Sequence, residues 1–199
     1  MIPRDTHKGE TCVIIGNGPS LDETPLEELA NRYVTFGSNL IYRKPFYPDY
    51  YCLVDKLGLD TCLPLPDDFT SVRFMRAEAK DELNTPIYPI TSAGFSLNIN
   101  NFVVIGATVT YAIMQIAFHM GFATWLLVGV DHSSDHFECA DGKEYFKEGV
   151  VYYEPNLTGV LKYYATAKDI CDQTGRKIIN LTPGTKENVF DKGTFGQWI

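Results

Sequence analysis

Apolar and polar positions follow two rhythms along this chain, and each rhythm predicts a kind of element. Val13, Ile14 and Ile15 form a short apolar run that breaks into Gly16-Asn17-Gly18-Pro19-Ser20, the pattern of a buried strand emptying into a glycine-rich loop. Thr24-Pro25-Leu26-Glu27 has the form of a helix start, with a capping threonine, proline at the first helical position and a glutamate placed to cap back. A short helix to about Arg32 is expected. The β-rich runs 33–39 (YVTFGSN) and 50–55 (YYCLVD) follow, divided by the proline-bearing link 43–49, and 71–76 (SVRFMR) predicts a further strand after the loop 63–68. Pro89 restricts 87–91 to a short edge piece, because proline cannot donate to a sheet ladder. Between Asn84 and Asn101 neither rhythm holds.

From Thr108 the period becomes helical. The segment 108–121 (TVTYAIMQIAFHMG) is apolar around most of its circumference and stopped by Gly121, which predicts a buried helix. A central strand at 125–131 (WLLVGVD), an amphipathic helix at 156–175 ending on Gly175, and a last strand at 177–183 complete the series. Strands alternating with helices predict an α/β fold, a mostly parallel sheet with helices on both faces, in a single domain over 1–199. In such sheets ligands bind beyond the carboxyl ends of the strands.

The residues that follow each strand are therefore the candidates. They are Asn17 and Ser20, Ser38 and Asn39, Asp55, and then Asp131, His132 and Ser133. Thr108 and Thr110 open the buried helix, where free backbone N–H groups and a positive dipole favour an anion. Together they outline a nucleotide or phosphate pocket, although Asn, Ser and Asp also end strands simply because they form turns. A dinucleotide site is not implied: its fingerprint needs a third glycine where this chain has Leu21.

Composition narrows the partners. At 199 residues and 45% apolar content the chain can bury a full core, and a net charge of −8 argues against a general nucleic-acid binder, which needs a basic face. No run has the length of a membrane span, and the first ten residues lack the apolar core of a signal peptide, so a soluble cytoplasmic protein is expected. The five cysteines are odd in number, and Cys12, Cys52 and Cys171 lie in apolar or amphipathic stretches as small reduced hydrophobes.

The loop IIGNGPSL, the strand-end Asn39 and above all the long stretch TVTYAIMQIAFHMGFATWLLVGVDHS resemble the bacterial MptE-like family, formerly DUF115. That family is related to the sialyltransferases typified by the Campylobacter lipooligosaccharide enzymes. The resemblance runs from Cys12 to the LTPG at Leu181 and implies a Rossmann-like domain. It implies a glycosyltransferase using a CMP-activated acidic sugar, with no cofactor and with a small molecule or glycan as acceptor. Gly16, Asn17, Gly18, Pro19, Ser20 and Asn39 would hold the nucleotide, with Asp55, Asp131 and Ser133 beside it, and Thr108 to Thr110 would meet the donor phosphate. The archaeal pterin branch implies an alternative, pyrophosphoryl transfer from ATP to 6-hydroxymethyldihydropterin, with Mg²⁺ on Asp55, Asp131 and Asp22. A third reading is a non-catalytic nucleotide-binding protein.

The chain departs from the sialyltransferase pattern. Asp55 stands where that pattern has asparagine, and His132, Ser133 and Ser134 replace its tyrosines. The histidine base of those enzymes aligns near 154–158, where this chain has none, so Glu154, His132 or His136 would have to remove the acceptor proton. The long membrane-associating tail of those enzymes has no counterpart here. His132, His136 and Cys139 in the spacing HxxxHxxC match no closed zinc site, and no metal is expected there. His119 falls on the apolar side of its helix and reads as a core histidine; nothing near Cys139 suggests an activated thiol. The polar stretch 132–156, rich in aromatics (Phe137, Tyr145, Phe146, Tyr152, Tyr153), reads as a lid or as packing against the domain or a second subunit in a homo-oligomer.

Overall fold

In the computed structural model, which describes residues 1–133, 135–142 and 156–199, the apolar runs become the strands of one sheet. In chain order the strands are β1 (Thr11–Ile15), β2 (Val34–Ser38), β3 (Tyr50–Leu53), β4 (Val72–Arg76), β5 (Asn84–Ile87), β6 (Pro89–Ile90), β7 (Val103–Val104), β8 (Thr124–Val128), β9 (Lys177–Asn180) and β10 (Asp191–Lys192). Eight of them pair in the order β10-β9-β8-β1-β2-β3-β4-β5, and β6 pairs with β7 in a separate ribbon. Every pairing is parallel. Parallel neighbours need crossovers, and α1 (Leu26–Ala30), α2 (Lys56–Cys62), α3 (Val109–His119) and α4 (Leu157–Gln173) lie in them.

Side chains of a strand alternate between faces, and both faces here are covered. Cys12, Ile14, Trp125 and Leu127 pack with α3 and α4 through Tyr111, Ile113, Val160 and Tyr164. Val13, Ile15, Leu126 and Val128 pack on the other side with Leu26 and Leu29 of α1, Cys62 of α2 and Leu40 and Ile41. The expected α/β fold, a mostly parallel sheet with helices on both faces, is the one observed.

The buried α3 carries one amide, Gln115, which accepts from Ser96 N and Val104 N (2.9 Å each) and donates to Val104 O (2.7 Å). That single side chain anchors the irregular segment after β6 and the ribbon to the helix. His119 is a core histidine as expected, 1% exposed with Nε2 3.0 Å from the Ile2 carbonyl. All five cysteines are free and buried. Among the described residues no helix is long and apolar enough to cross a membrane.

Some boundaries differ from expectation. Thr24 does not cap α1; its hydroxyl bonds the Ser20 carbonyl at 2.8 Å, Pro25 takes the cap position, and the helix stops at Ala30. Asp55 does not end a strand but caps α2, a helix absent from the hydrophobic pattern. The last long strand ends at Asn180, and β10 adds an unforeseen edge.

Candidate active site

The strand order reverses at β1: the chain fills one side with β2 to β5 and returns through β8 on the other. A crevice opens beyond the carboxyl ends at such a reversal. Here a cleft lies there, lined from the β1 and β2 loops by Gly16, Asn17, Gly18 and Asn39, from α2 and its cap by Asp55, Leu57, Gly58, Thr61 and Cys62, and from α3 by Thr108, Val109 and Thr110. Leu40, Gly129, Val130, Asp131, His132, Ser133, Asp135, His136 and Leu157 complete it.

The glycine loop is held to the strand that follows α3. Gly16 N donates to Val128 O at 2.8 Å and Gly18 N to Gly129 O at 2.9 Å, so the β1–β8 ladder continues into the loop. The Asp131 carboxylate accepts from Ser20 N (3.2 Å) and Ser20 Oγ (2.8 Å). A Cβ on Gly18 would stand 1.8 Å from Asp131 Oδ2, which leaves no room for a side chain. Leu21, in place of the third glycine, packs where a Cβ on Gly129 (φ 65°) would fall, 2.6 Å away. The loop then closes in a four-residue 3-10 turn, Pro19–Asp22, rather than a long helix, so it offers no dinucleotide cradle.

Two amides stand out. Asn17 Nδ2 donates to Ser38 Oγ at 3.1 Å while its Oδ1 is buried without a partner. Asn39 sits in the left-handed region (φ 51°), its carbonyl accepts from Tyr51 Oη at 2.6 Å, and its Oδ1 is likewise buried and unmatched. Asp55 Oδ1 accepts from Gly58 N at 2.5 Å, fixing the start of α2 at the cleft edge. Opposite, Thr108 is the N-cap of the 11-residue α3 with no side-chain cap bond, and Thr108, Val109 and Thr110 line the cleft at the helix start. His132 also has a left-handed backbone (φ 55°), and its ring lies 5.5 Å from that of Tyr164 on α4. Burial holds the His136 imidazole below its ordinary value, with Asp135 opposing in part.

Most of the candidates thus share one cleft, and several do not. Pro19 and Ser20 lie outside its lining; Ser20 staples the loop to Asp131. Asp22 is turned away, ion-paired to Lys44 and accepting from Glu138 N at 3.0 Å. Asp22 is thus apart from Asp55 and Asp131, which both line the cleft, and among the described residues no three His, Cys, Asp or Glu side chains group to hold a metal. Cys139 is buried and desolvation raises its thiol pKa, the reverse of activation. The first part of the expected lid is a docked wall: Phe137 N donates to Asn17 O (3.2 Å), Ala140 N to Arg43 O (2.8 Å), and Arg43 pairs with Asp141 at 2.8 Å. Phe137 is packing, 2% exposed. Glu154, with Ser134, Tyr145, Phe146, Tyr152 and Tyr153, lies outside the described residues. Sequence reasoning missed the α2 wall, Leu57 and Thr61.

No protein-family model matches the chain, and no curated protein does. Among solved structures it is similar to the sialyltransferase CstII from Campylobacter jejuni, determined in complex with a substrate analogue, cytidine-5′-monophosphate. The two share 15% identity with a TM-score of 0.56, over 93% of this chain and 85% of that one. At this identity the likeness is one of fold alone, and no family model supports the MptE-like assignment.

Proposed function

We propose that the chain is a nucleotide-dependent transferase, a glycosyltransferase that takes a CMP-activated acidic sugar. The observation that carries this reading is the pair of buried, unmatched amide oxygens on Asn17 and Asn39 in a cleft whose far wall is the start of α3. Such oxygens accept from hydroxyl and amino groups of a nucleoside, and helix N–H groups with Thr108 and Thr110 suit the phosphate that follows it. The fold neighbour, whose bound analogue is CMP, supports cytidine as the nucleoside. The acceptor oxygen bonds to the anomeric carbon as the bond to phosphate breaks, CMP leaves, and the acceptor proton passes to a base. His136 fits that role because its lowered pKa keeps it neutral at pH 7; His132 and Glu154 are the other candidates. The alternative, pyrophosphoryl transfer from Mg-ATP, would draw on Asp55 and Asp131, which both line the cleft.

Calorimetric titration with CMP and with Mg-ATP, followed by assay of CMP release from a CMP-linked acidic sugar, tests this. CMP binding and donor turnover are expected. Tight Mg-ATP binding without CMP binding overturns the reading in favour of a diphosphokinase, and CMP binding with no turnover of any donor leaves a non-catalytic binder.

A further inference from the structure

The 3-10 turn that closes the glycine loop, Pro19–Asp22, grips the chain after β8 at two points. At one end Ser20 donates to the Asp131 carboxylate from N (3.2 Å) and Oγ (2.8 Å). At the other, the Asp22 carboxylate accepts from Glu138 N, with Oδ2 at 3.0 Å and Oδ1 at 3.1 Å. Asp22 also pairs with Lys44, whose ammonium lies 5.2 Å from the centre of the Phe137 ring. Between the two grips run His132, Ser133, Asp135 and His136, all of which line the cleft. The turn itself is fixed: Leu21 is 2% exposed and packs against Gly129, and the Thr24 hydroxyl donates to the Ser20 carbonyl at 2.8 Å.

Asp22 is not part of the cleft lining, so any effect it has on a reaction passes through the span it holds. An N–H bonded to a carboxylate is a charge-assisted bond, stronger than a neutral one. Two further ties, Phe137 N to Asn17 O (3.2 Å) and Ala140 N to Arg43 O (2.8 Å), keep the span on the domain when the Asp22 bond is lost, so what that bond governs is where the span sits. A displacement of about 1 Å at a reacting group can cost about 100-fold in rate. Resting on the transferase reading above, we propose that Asp22 is a positioning residue: its bond to Glu138 N, two residues beyond His136, holds that imidazole in the cleft where it takes the acceptor proton.

The test measures CMP release from CMP-sialic acid, CMP affinity by calorimetry and the ring-proton NMR signal of His136. It is run on the parent, Asp22→Ala, Asp22→Asn, His136→Gln and the double variant of Asp22→Ala with His136→Gln, with a thermal melt of each. Asp22→Ala is expected to lower kcat about tenfold or more, to change KM and CMP affinity by less than about twofold, and to move the His136 signal toward that of an exposed histidine. Asp22→Asn keeps an oxygen for Glu138 N and gives up only the charge, so it restores most of kcat and the parent signal. In the His136→Gln background Asp22→Ala costs less than about twofold more. Unchanged kcat, a loss carried by KM or CMP affinity, an asparagine variant no better than alanine, a full additive loss in the double variant, or a melt that collapses in Asp22→Ala each overturn the proposal. The ring signal keeps the two readings apart. A parent that releases no CMP defeats the transferase reading and leaves Asp22 to be judged on that signal: a shift in Asp22→Ala reversed in Asp22→Asn upholds its hold on His136, and an unmoved signal overturns it.

Discussion

Glu187 and Asn39 are both polar groups withdrawn from water, and the chain treats them in opposite ways. Glu187 is 1% exposed, yet it accepts from Asn180 Nδ2 (2.9 Å), Phe190 N (2.8 Å), Lys192 Nζ (2.7 Å) and Val189 N. Burial alone would raise its pKa, but Lys192, Asn180 and the two backbone donors outweigh it and the carboxyl titrates below its ordinary value. Asn17, Asn39 and Tyr164 each keep an atom buried and unmatched. Buried polar groups are satisfied as a rule, and around Glu187 this fold meets the rule in full. Asn17 and Asn39 keep theirs at the cleft, where a ligand would supply what the protein withholds, whereas Arg73 Nε and His119 Nδ1 are unmatched away from it.

The contrast is open to direct attack. Glu187→Ala should cost about 1–3 kcal/mol or more in urea unfolding, because it leaves the buried Asn180 amide and two backbone donors unmatched at once. A loss under about 1 kcal/mol would mean the network is ornamental. Its pH signature follows from the lowered pKa: the stabilisation is present above the ordinary carboxylate range and is lost as pH falls through the depressed folded value, so Glu187→Gln should flatten the acid limb of the unfolding midpoint. Gly18→Ala should cost about 1–3 kcal/mol and abolish nucleotide binding by driving a methyl into Asp131, with the stability cost smaller in an Asp131→Ala background. Asn39→Gly should behave in reverse to Glu187→Ala: glycine tolerates the φ of 51°, stability changes by less than about 0.5 kcal/mol, and CMP affinity falls by roughly 1 kcal/mol. Unchanged affinity in the folded variant removes Asn39 from the site. The pH test concerns His136: with burial holding its pKa below the ordinary imidazole value of about 6.5, transfer should decline only as pH drops below that value, and His136→Gln should remove both the limb and most of the activity.

The residues that could be read from the sequence share one property: their role follows from a local break in pattern. Asn17, Asn39 and Asp131 each come just after an apolar run, and Thr108 opens a long apolar helix, so topology alone carries them to one edge. The rest depends on partners far along the chain. Ser20 binds Asp131 across 111 residues and Asp22 meets Glu138 across 116, so no local signal says that one staples a loop and the other leaves the cleft. The helix α2 escapes because KLGLDTC is short and interrupted by Gly58, and it forms on the strength of the Asp55 cap.

The central place of β1 also sets a clock on synthesis. Its neighbours on one side, β2 and those beyond it, emerge soon after, but the register of Cys12 with Trp125 waits for more than a hundred further residues. At ribosomal rates of about 5–20 residues per second, that interval is roughly 5–20 s. Throughout it a strand of Val13, Ile14 and Ile15, each 0% exposed in the finished fold, presents an unpaired edge. The nascent chain is therefore most vulnerable to pairing with the wrong strand in the window between β5 and β8, and a chaperone that shields it would be needed there rather than at either end.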